Sequence, residues 1–397
     1  MSKATVRLRD VVEINPATRG GDVLEKEVCF VAMADVSESG RIASFQTRAL
    51  REVSKGYTSF CKGDVLLAKI TPCFENGKAA VVECLESSVG FGSTEFHVLR
   101  PSNKIDARFL FHLVWNPRFR RLGAKRMTGS AGQKRLPTAF LAEYEFGLPQ
   151  LAEQKRIVAI LDKANNLRLK RQEAIRLADE FLRAIYLDLA EKHSNRASVE
   201  SVLASIPNAA RTGPFGSQLL VSEFTETGIP VLGIDNVVSN SFTWGSRRFV
   251  SLEKYAELKR YTVRPGDVIV TIMGTTGRVA VAPSDLPLCI STKHLCTLSV
   301  DHQKMRPSYL WACLRWDAEV RAQTLRESKG AIMEGWNMGI VKSLMISKPP
   351  MEVQLKFEAI QTKIEKIMNS ASKAVDDTDS MIASLSSKYI SSPIKVR

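Results

Sequence analysis

Two runs without proline or glycine, from Gln150 to Lys192 and from Met351 to Ile390, most constrain what this 397-residue chain can fold into. In the first, apolar residues recur at three- and four-residue intervals: Ile157, Leu161, Ala164, Leu167, Ala174, Leu177, Phe181, Ile185 and Leu189. The second carries Val353, Phe357, Ile360, Ile364, Ile367, Ala371, Val375, Ile382 and Leu385 in the same rhythm. One apolar stripe on a charged body is the pattern of an amphipathic helix. Pro149 and Pro349 stand near the starts, where a missing N–H costs little. At 1.5 Å per residue, roughly 43 residues make a rod of about 65 Å. Ordinary helices run about 8–20 residues, so each rod is expected to be a spacer that packs against its counterpart.

The rods belong to an internal repeat. Pro149 precedes Gln154 as Pro349 precedes Gln354. FVAMADV from Phe30 matches VLGIDNV from Val231, KGDVLLAKI from Lys62 matches PGDVIVTIM from Pro265, and NGKAAVV from Asn76 matches TGRVAVA from Thr276. STEFHVL from Ser93 answers STKHLCT from Ser291. Between turn signals, Cys29–Val36, Val65–Ile70, Ala79–Glu83 and Glu95–Leu99 read as short strands. Ala107–Arg121 has helical spacing and precedes a Gly/Ser/Lys loop. Each half thus reads as strands, a helix, a basic loop and a rod. The expected fold is α+β: strand-rich domains over 1–148 and 195–348 alternating with spacer helices over 149–194 and 349–392.

A net charge of +14 points to a polyanionic partner. Clustering sharpens this. Between Trp115 and Leu136 lie Arg118, Arg120, Arg121, Lys125, Arg126, Lys134 and Arg135 with no acidic residue among them, whereas a solvated helix face usually mixes both signs. No apolar run approaches the roughly 18–20 residues that span a bilayer, and MSKATVRLRD lacks a signal-peptide core, so no membrane association is expected. Seven cysteines without paired spacing fit a reducing cytosol rather than a disulfide framework.

Catalytic motifs are absent or broken. ENGK (Glu75–Lys78) ends like a phosphate loop, but Pro72 occupies the first-glycine position and Ala79 replaces the Ser/Thr that would hold Mg²⁺. Asp64, Glu75 and Lys78 have the wrong spacing for a metal nuclease. Asn116-Pro117-Arg118-Phe119 lacks the second proline of the Asn-Pro-Pro-aromatic sequence of amino-methyltransferases. The histidines form no HExxH and the cysteines no CxxC, so neither a metal site nor a cofactor is expected.

Binding signals are stronger. Loops rich in Arg, Lys, Gln, Asn, Thr and Ser offer the donors and acceptors that grip phosphates and read base edges. In the first half these are Lys69, Thr71, Asn76 and Lys78, then Lys125, Arg126, Ser130, Gln133, Lys134 and Arg135. The second half contributes Ser217, Arg247, Thr275, Thr276 and Arg278, then Lys293, Lys329 and Asn337. Gly129, Gly132, Gly274 and Gly277 would let the backbone approach a groove. If the rods pair as an antiparallel coiled coil, two similar but unequal domains become related by a pseudo-two-fold axis. They could then read two different half-sites at a fixed spacing.

With these residues in view, the chain resembles the specificity (S) subunits of type I restriction–modification enzymes. The resemblance rests on GDVLLAKITPCFENGK, GFGSTEFHVLRP, PGDVIVTIMGTTGRVAV and LPQLAEQKRIVAILD, and extends over nearly the whole chain. In the second copy Val353 and Leu355 stand where the first has Glu153 and Lys155. The resemblance implies two target-recognition domains that bind an asymmetric, bipartite double-stranded DNA sequence. It also implies two methyltransferase (M) subunits, restriction (R) subunits, a cytoplasmic setting, and no chemistry by the chain itself. Its partners would methylate adenine with S-adenosylmethionine. Two other readings stay open: an enzyme with degenerate motifs, and a basic coiled-coil scaffold that binds nucleic acid non-specifically.

Overall fold

The computed structural model describes residues 4–17, 27–130, 132–245, 247–328 and 335–390. Two compact units divide the chain, Met1–Gln172 with Ser372–Arg397, and Glu173–Ala371.

In the first unit, Glu27–Val31 runs parallel to Gly90–Gly92, with Phe30 opposite Phe91. Gln46–Ala49 and Thr58–Phe60 complete that four-stranded sheet at its edges. A second four-stranded sheet has the order Val12–Ile14, Phe96–Pro101, Val65–Ala68, Ala79–Val81, and every pairing in it is antiparallel. Val65–Ala68 is buried on both faces, so it reads as a continuous apolar run rather than an alternation. One face carries Leu66 and Val98 into a core with Phe60 and Phe96. The other carries Val65 and Leu67 toward the helix Ala107–Trp115 and the long helix Leu151–Lys192, with Phe109, Phe146, Ile157 and Leu161 in the same core. The terminal strand Ala4–Arg7 pairs with Glu145–Leu148 just before that helix.

The second unit repeats this plan. Ile229–Leu232 is parallel to Cys289–Ser291, flanked by Phe249–Val250 and Thr262–Val263. Its partner sheet has the order Ala210–Thr212, Leu295–Leu298, Val268–Thr271, Val279–Val281. Arg196–Ser198 pairs with Met345–Ser347 ahead of the helix Met351–Ile390. The expected α+β repeat with two long helices is therefore present.

Within each unit the two long helices pack together. In the first, Arg171 donates to the Ala374 carbonyl at 2.6 Å and to Thr378 Oγ1 at 2.5 Å, and Arg168 lies 3.6 Å from Asp379. Leu385 joins the core of Ile157 and Leu161. Rising numbers on one helix thus meet falling numbers on the other, which is an antiparallel pairing. In the second unit Tyr186 and Phe357 are fully buried, their rings 6.3 Å apart and nearly perpendicular. Burying a Phe of this kind contributes about 1.5–3 kcal/mol.

Two expectations need correction. Ala107–Arg121 is not one helix: it stops at Trp115, and a second helix runs Pro117–Ala124. Pro117 cannot continue the first helix and biases Asn116 out of the helical region, where its ψ is 132°. Asn116 Oδ1 then accepts the Arg118 N–H at 2.7 Å, capping the new helix. The apolar stripe of the first rod also drifts. Leu167, Leu177 and Phe181 are exposed, and Leu182 and Tyr186 carry the burial instead. Among the described residues, no helix is long and apolar enough to cross a membrane.

Candidate nucleic-acid interface

In the first unit the two basic loops come together. Thr128 and Arg135 exchange backbone hydrogen bonds at 3.0 and 2.8 Å, so residues 128–135 form a hairpin. Its tip needs glycine at Gly129, whose φ is 127° and where a Cβ would come within 2.8 Å of the Gln133 carbonyl. The hairpin docks on the segment after Val65–Ala68: Thr71 N–H donates to the Lys134 carbonyl at 2.9 Å, and Leu136 N–H to the Lys69 carbonyl at 2.8 Å. Lys125, Arg126, Ser130, Gln133 and Lys134 are exposed on this ridge.

Several candidates there are already engaged. Arg135 lies across the Glu95 carboxylate, with Nη2 at 2.7 Å and Nε at 3.0 and 3.1 Å. That hydrogen bonding, against the cost of burial, holds the Glu95 carboxyl below its ordinary value. Lys78 Nζ donates to the Met33 carbonyl at 3.0 Å, Asn76 to Glu38 at 2.8 Å, and Thr71 Oγ1 to Glu75 at 2.9 Å. Sequence reasoning missed the braces beneath the 70–78 turn. Trp115 Nε1 donates to the Gly77 carbonyl at 3.0 Å, and Arg120 Nη1 to the Glu75 carbonyl at 2.7 Å. Arg120 is thus a half-buried strut rather than a free surface cation, and the partial loss of water around it pushes its pKa down.

The second unit builds a corresponding turn. Thr271 Oγ1 donates to the Thr275 carbonyl at 2.5 Å and accepts the Arg278 N–H at 2.9 Å. Trp336 N–H donates to the Ile272 carbonyl at 2.8 Å, and its indole packs where a Cβ on Gly277 would reach 3.2 Å. Thr275 and Arg278 are exposed, as are Lys293 and Ser217. Asn337 caps the helix Met338–Ser343 by accepting the Ile340 N–H at 2.9 Å. Arg247 stands 5.5 Å over the ring of Trp244, a partner the sequence did not flag. Lys329 lies outside the described residues.

The repeated Gly–Asp pair is a turn clamp. Asp64 is buried, accepts the Cys61 N–H at 2.7 Å and binds Arg100 through both oxygens at 2.9 and 2.8 Å. Asp267 accepts the Arg264 N–H at 2.7 Å and pairs with buried Arg211 and Ser299. Each carboxylate thus ties its own turn to a neighbouring arginine.

Residues 2–177 match the family described as type I restriction modification DNA specificity domain. Over 160 residues the chain is 41% identical to the EcoEI specificity subunit of Escherichia coli, covering 40% of this chain and 27% of that protein. It is 42% identical over 153 residues to the EcoAI specificity subunit of the same species, covering 38% of this chain and 26% of that one. The matched stretch thus spans about a quarter of these relatives' length. The crystal structure of a type I restriction–modification S subunit from M. genitalium shares the fold at a TM-score of 0.57, with 10% identity, over 97% of this chain and 99% of that one. The specificity-domain model thus spans the first strand-rich unit and part of the first rod, two specificity subunits are similar to the chain over about two fifths of its length, and the fold of a solved S subunit is shared along it.

Proposed function

We propose that the chain is the sequence-specific DNA-binding subunit of a type I restriction–modification complex. It recognises a bipartite, asymmetric duplex target, one half-site for each strand-rich domain, and directs two M subunits and the R subunits to it. The observation that carries this reading is the repeat of one plan with different side chains. Each unit sets a braced, glycine-bearing turn (70–78 and 271–278) beside exposed cations, yet the residues on the two turns differ. Equal scaffolds with unequal surfaces suit two unlike half-sites. The strand-rich domains over 1–148 and 195–348 are the readers, and the helices over 149–194 and 349–392 are the spacers. Lys125, Arg126 and Lys134 would grip phosphates, and the exposed Ser130, Gln133, Thr275 and Lys293 would reach base edges.

Selection from a randomised duplex library, with the chain co-expressed with its methyltransferase partners, tests this. Two short fixed blocks separated by a constant gap are expected. A single contiguous block would overturn the bipartite reading, and enrichment of no sequence would favour a non-specific polyanion binder.

A further inference from the structure

The second unit contains a cleft of about 630 Å³, within the range of ligand sites, that no motif in the sequence announced. It is bounded by the segment Arg176–Arg183 of the first rod, the turn at Thr275–Arg278, and the helices Pro307–Trp316 and Ala318–Ser328. Five arginines line it against two carboxylates, Asp179 and Glu180. Both acids are committed. Asp179 holds Arg315 at 2.8 and 2.9 Å, and Glu180 holds Arg176, which also binds Glu173 at 2.6 and 2.8 Å. Arg183, Arg278 and Arg321 have no carboxylate partner among the described residues. Burial, and with it the like charge of Arg278, pushes the Arg315 guanidinium below its ordinary pKa. The cleft therefore holds a surplus of positive charge, which attracts an anion.

Thr276, another residue of the cleft's lining, supplies a second observation. Thr276 Oγ1 is buried and has no hydrogen-bond partner, a state that costs stability unless a ligand satisfies it. Beside it the Gly277 backbone, at φ 82°, packs close to Trp336, and Arg315 lies 4.7 Å over the Trp316 ring. The corresponding turn of the first unit differs. Lys78 stands where Arg278 does but is tied to the Met33 carbonyl, and buried Leu136 stands in place of Trp336.

We propose that this cleft is a phosphate-binding site, with Arg183, Arg278 and Arg321 gripping the anion and the Thr276 hydroxyl donating to one of its oxygens. Phosphate suits it better than carboxylate, because the three guanidinium groups come from a rod, a turn and a helix. Three separate elements of the cleft can each bring a donor to a different oxygen of a tetrahedral anion, whereas a planar carboxylate has only two oxygens to share. The phosphate has two possible sources: the DNA backbone, in which case the site rests on the proposed function and makes the rod part of the contact surface, or a free nucleotide.

The test uses the full chain, the double variant Arg183→Gln/Arg321→Gln, and Thr276→Val. Pyrophosphate binding is read by titration calorimetry, and duplex binding by anisotropy across a salt series. Wild type is expected to bind pyrophosphate and the double variant to bind it at least tenfold more weakly. Thr276→Val should lose several-fold while its melting temperature holds or rises, since it removes an unpaired buried hydroxyl. If the source is DNA, the double variant also loses affinity equally on target and unrelated duplexes, and its salt slope falls by about two. If the source is a free nucleotide, duplex binding is unchanged and ATP displaces pyrophosphate. Unchanged pyrophosphate and duplex binding in the double variant overturns the site while leaving the proposed function standing. Pyrophosphate binding that the double variant loses, in a chain that binds no duplex, does the reverse.

Discussion

The side-chain carbonyl of Gln154 accepts the backbone N–H of Asp106 at 2.8 Å, and its amide donates to the carbonyls of Pro149 and Lys104 at 2.8 and 2.9 Å. Gln354 repeats the arrangement in the second unit, accepting from Arg306 at 2.8 Å and donating to Pro349 at 2.9 Å. Both side chains are buried, and each locks the start of a rod to the start of a packed helix. Gln154→Leu and Gln354→Leu keep the size but strand backbone groups out of water, so each should cost about 2–3 kcal/mol. Urea unfolding checks this; unchanged midpoints would show that the rods are seated by their apolar stripe alone.

His97 gives the first unit a pH dependence. It is buried, with Nε2–H donating to the Leu136 carbonyl at 2.8 Å and Nδ1 accepting from Asn15 at 3.1 Å, so its partners suit the neutral ring. Burial first, and the charge of Lys69 as well, hold its pKa below the ordinary 6.5. The unfolded chain therefore takes up a proton that the folded chain resists. The contribution of His97 to stability is full above about pH 6.5 and falls as the pH drops from there toward the lowered folded value, by at most about 1.4 kcal/mol per pH unit. Denaturation of wild type and His97→Gln at pH 7.5 and 5.5 measures it. Equal losses in the two proteins would contradict the assignment.

Neutralising Lys125, Arg126, Lys134 and Arg135 together should weaken duplex binding on every sequence and flatten its salt dependence. The first three should contribute roughly one unit of slope each. Arg135→Gln alone should instead act through the hairpin, freeing Glu95 and loosening the 128–135 pairing. Its effect is expected on dissociation rate more than on salt slope. A quadruple variant with unchanged affinity and slope would remove this ridge from the phosphate backbone.

Inserting one heptad in each rod should change the gap between half-sites and leave their sequences alone. Library selection on the lengthened chain reads both quantities at once. An altered half-site at constant gap would sink the ruler idea.

Much of the fold was legible because it is periodic. The proline–glutamine offset at the head of each rod, the Gly–Asp turns and the apolar runs at Val65 and Val268 recur in both halves, and each occupies the same place in its unit. What escaped depends on single contacts. Nothing in the spacing shows that Asn116 caps a new helix, that Lys78 turns inward to Met33, or that Arg120 braces a turn. Phe181 fits the stripe as well as Leu182 does, and three-dimensional packing alone separates them. The arginine cleft was invisible because Arg183, Arg278 and Arg321 come from segments far apart in the chain.

The most direct measurement is methylation-sensitive long-read sequencing of host DNA with and without this gene. The account predicts that deletion removes one methylated motif made of two short blocks around a fixed gap, and that restoring the gene restores it. Retention of every methylated motif, with the partner methyltransferase genes intact and expressed, would contradict the specificity role.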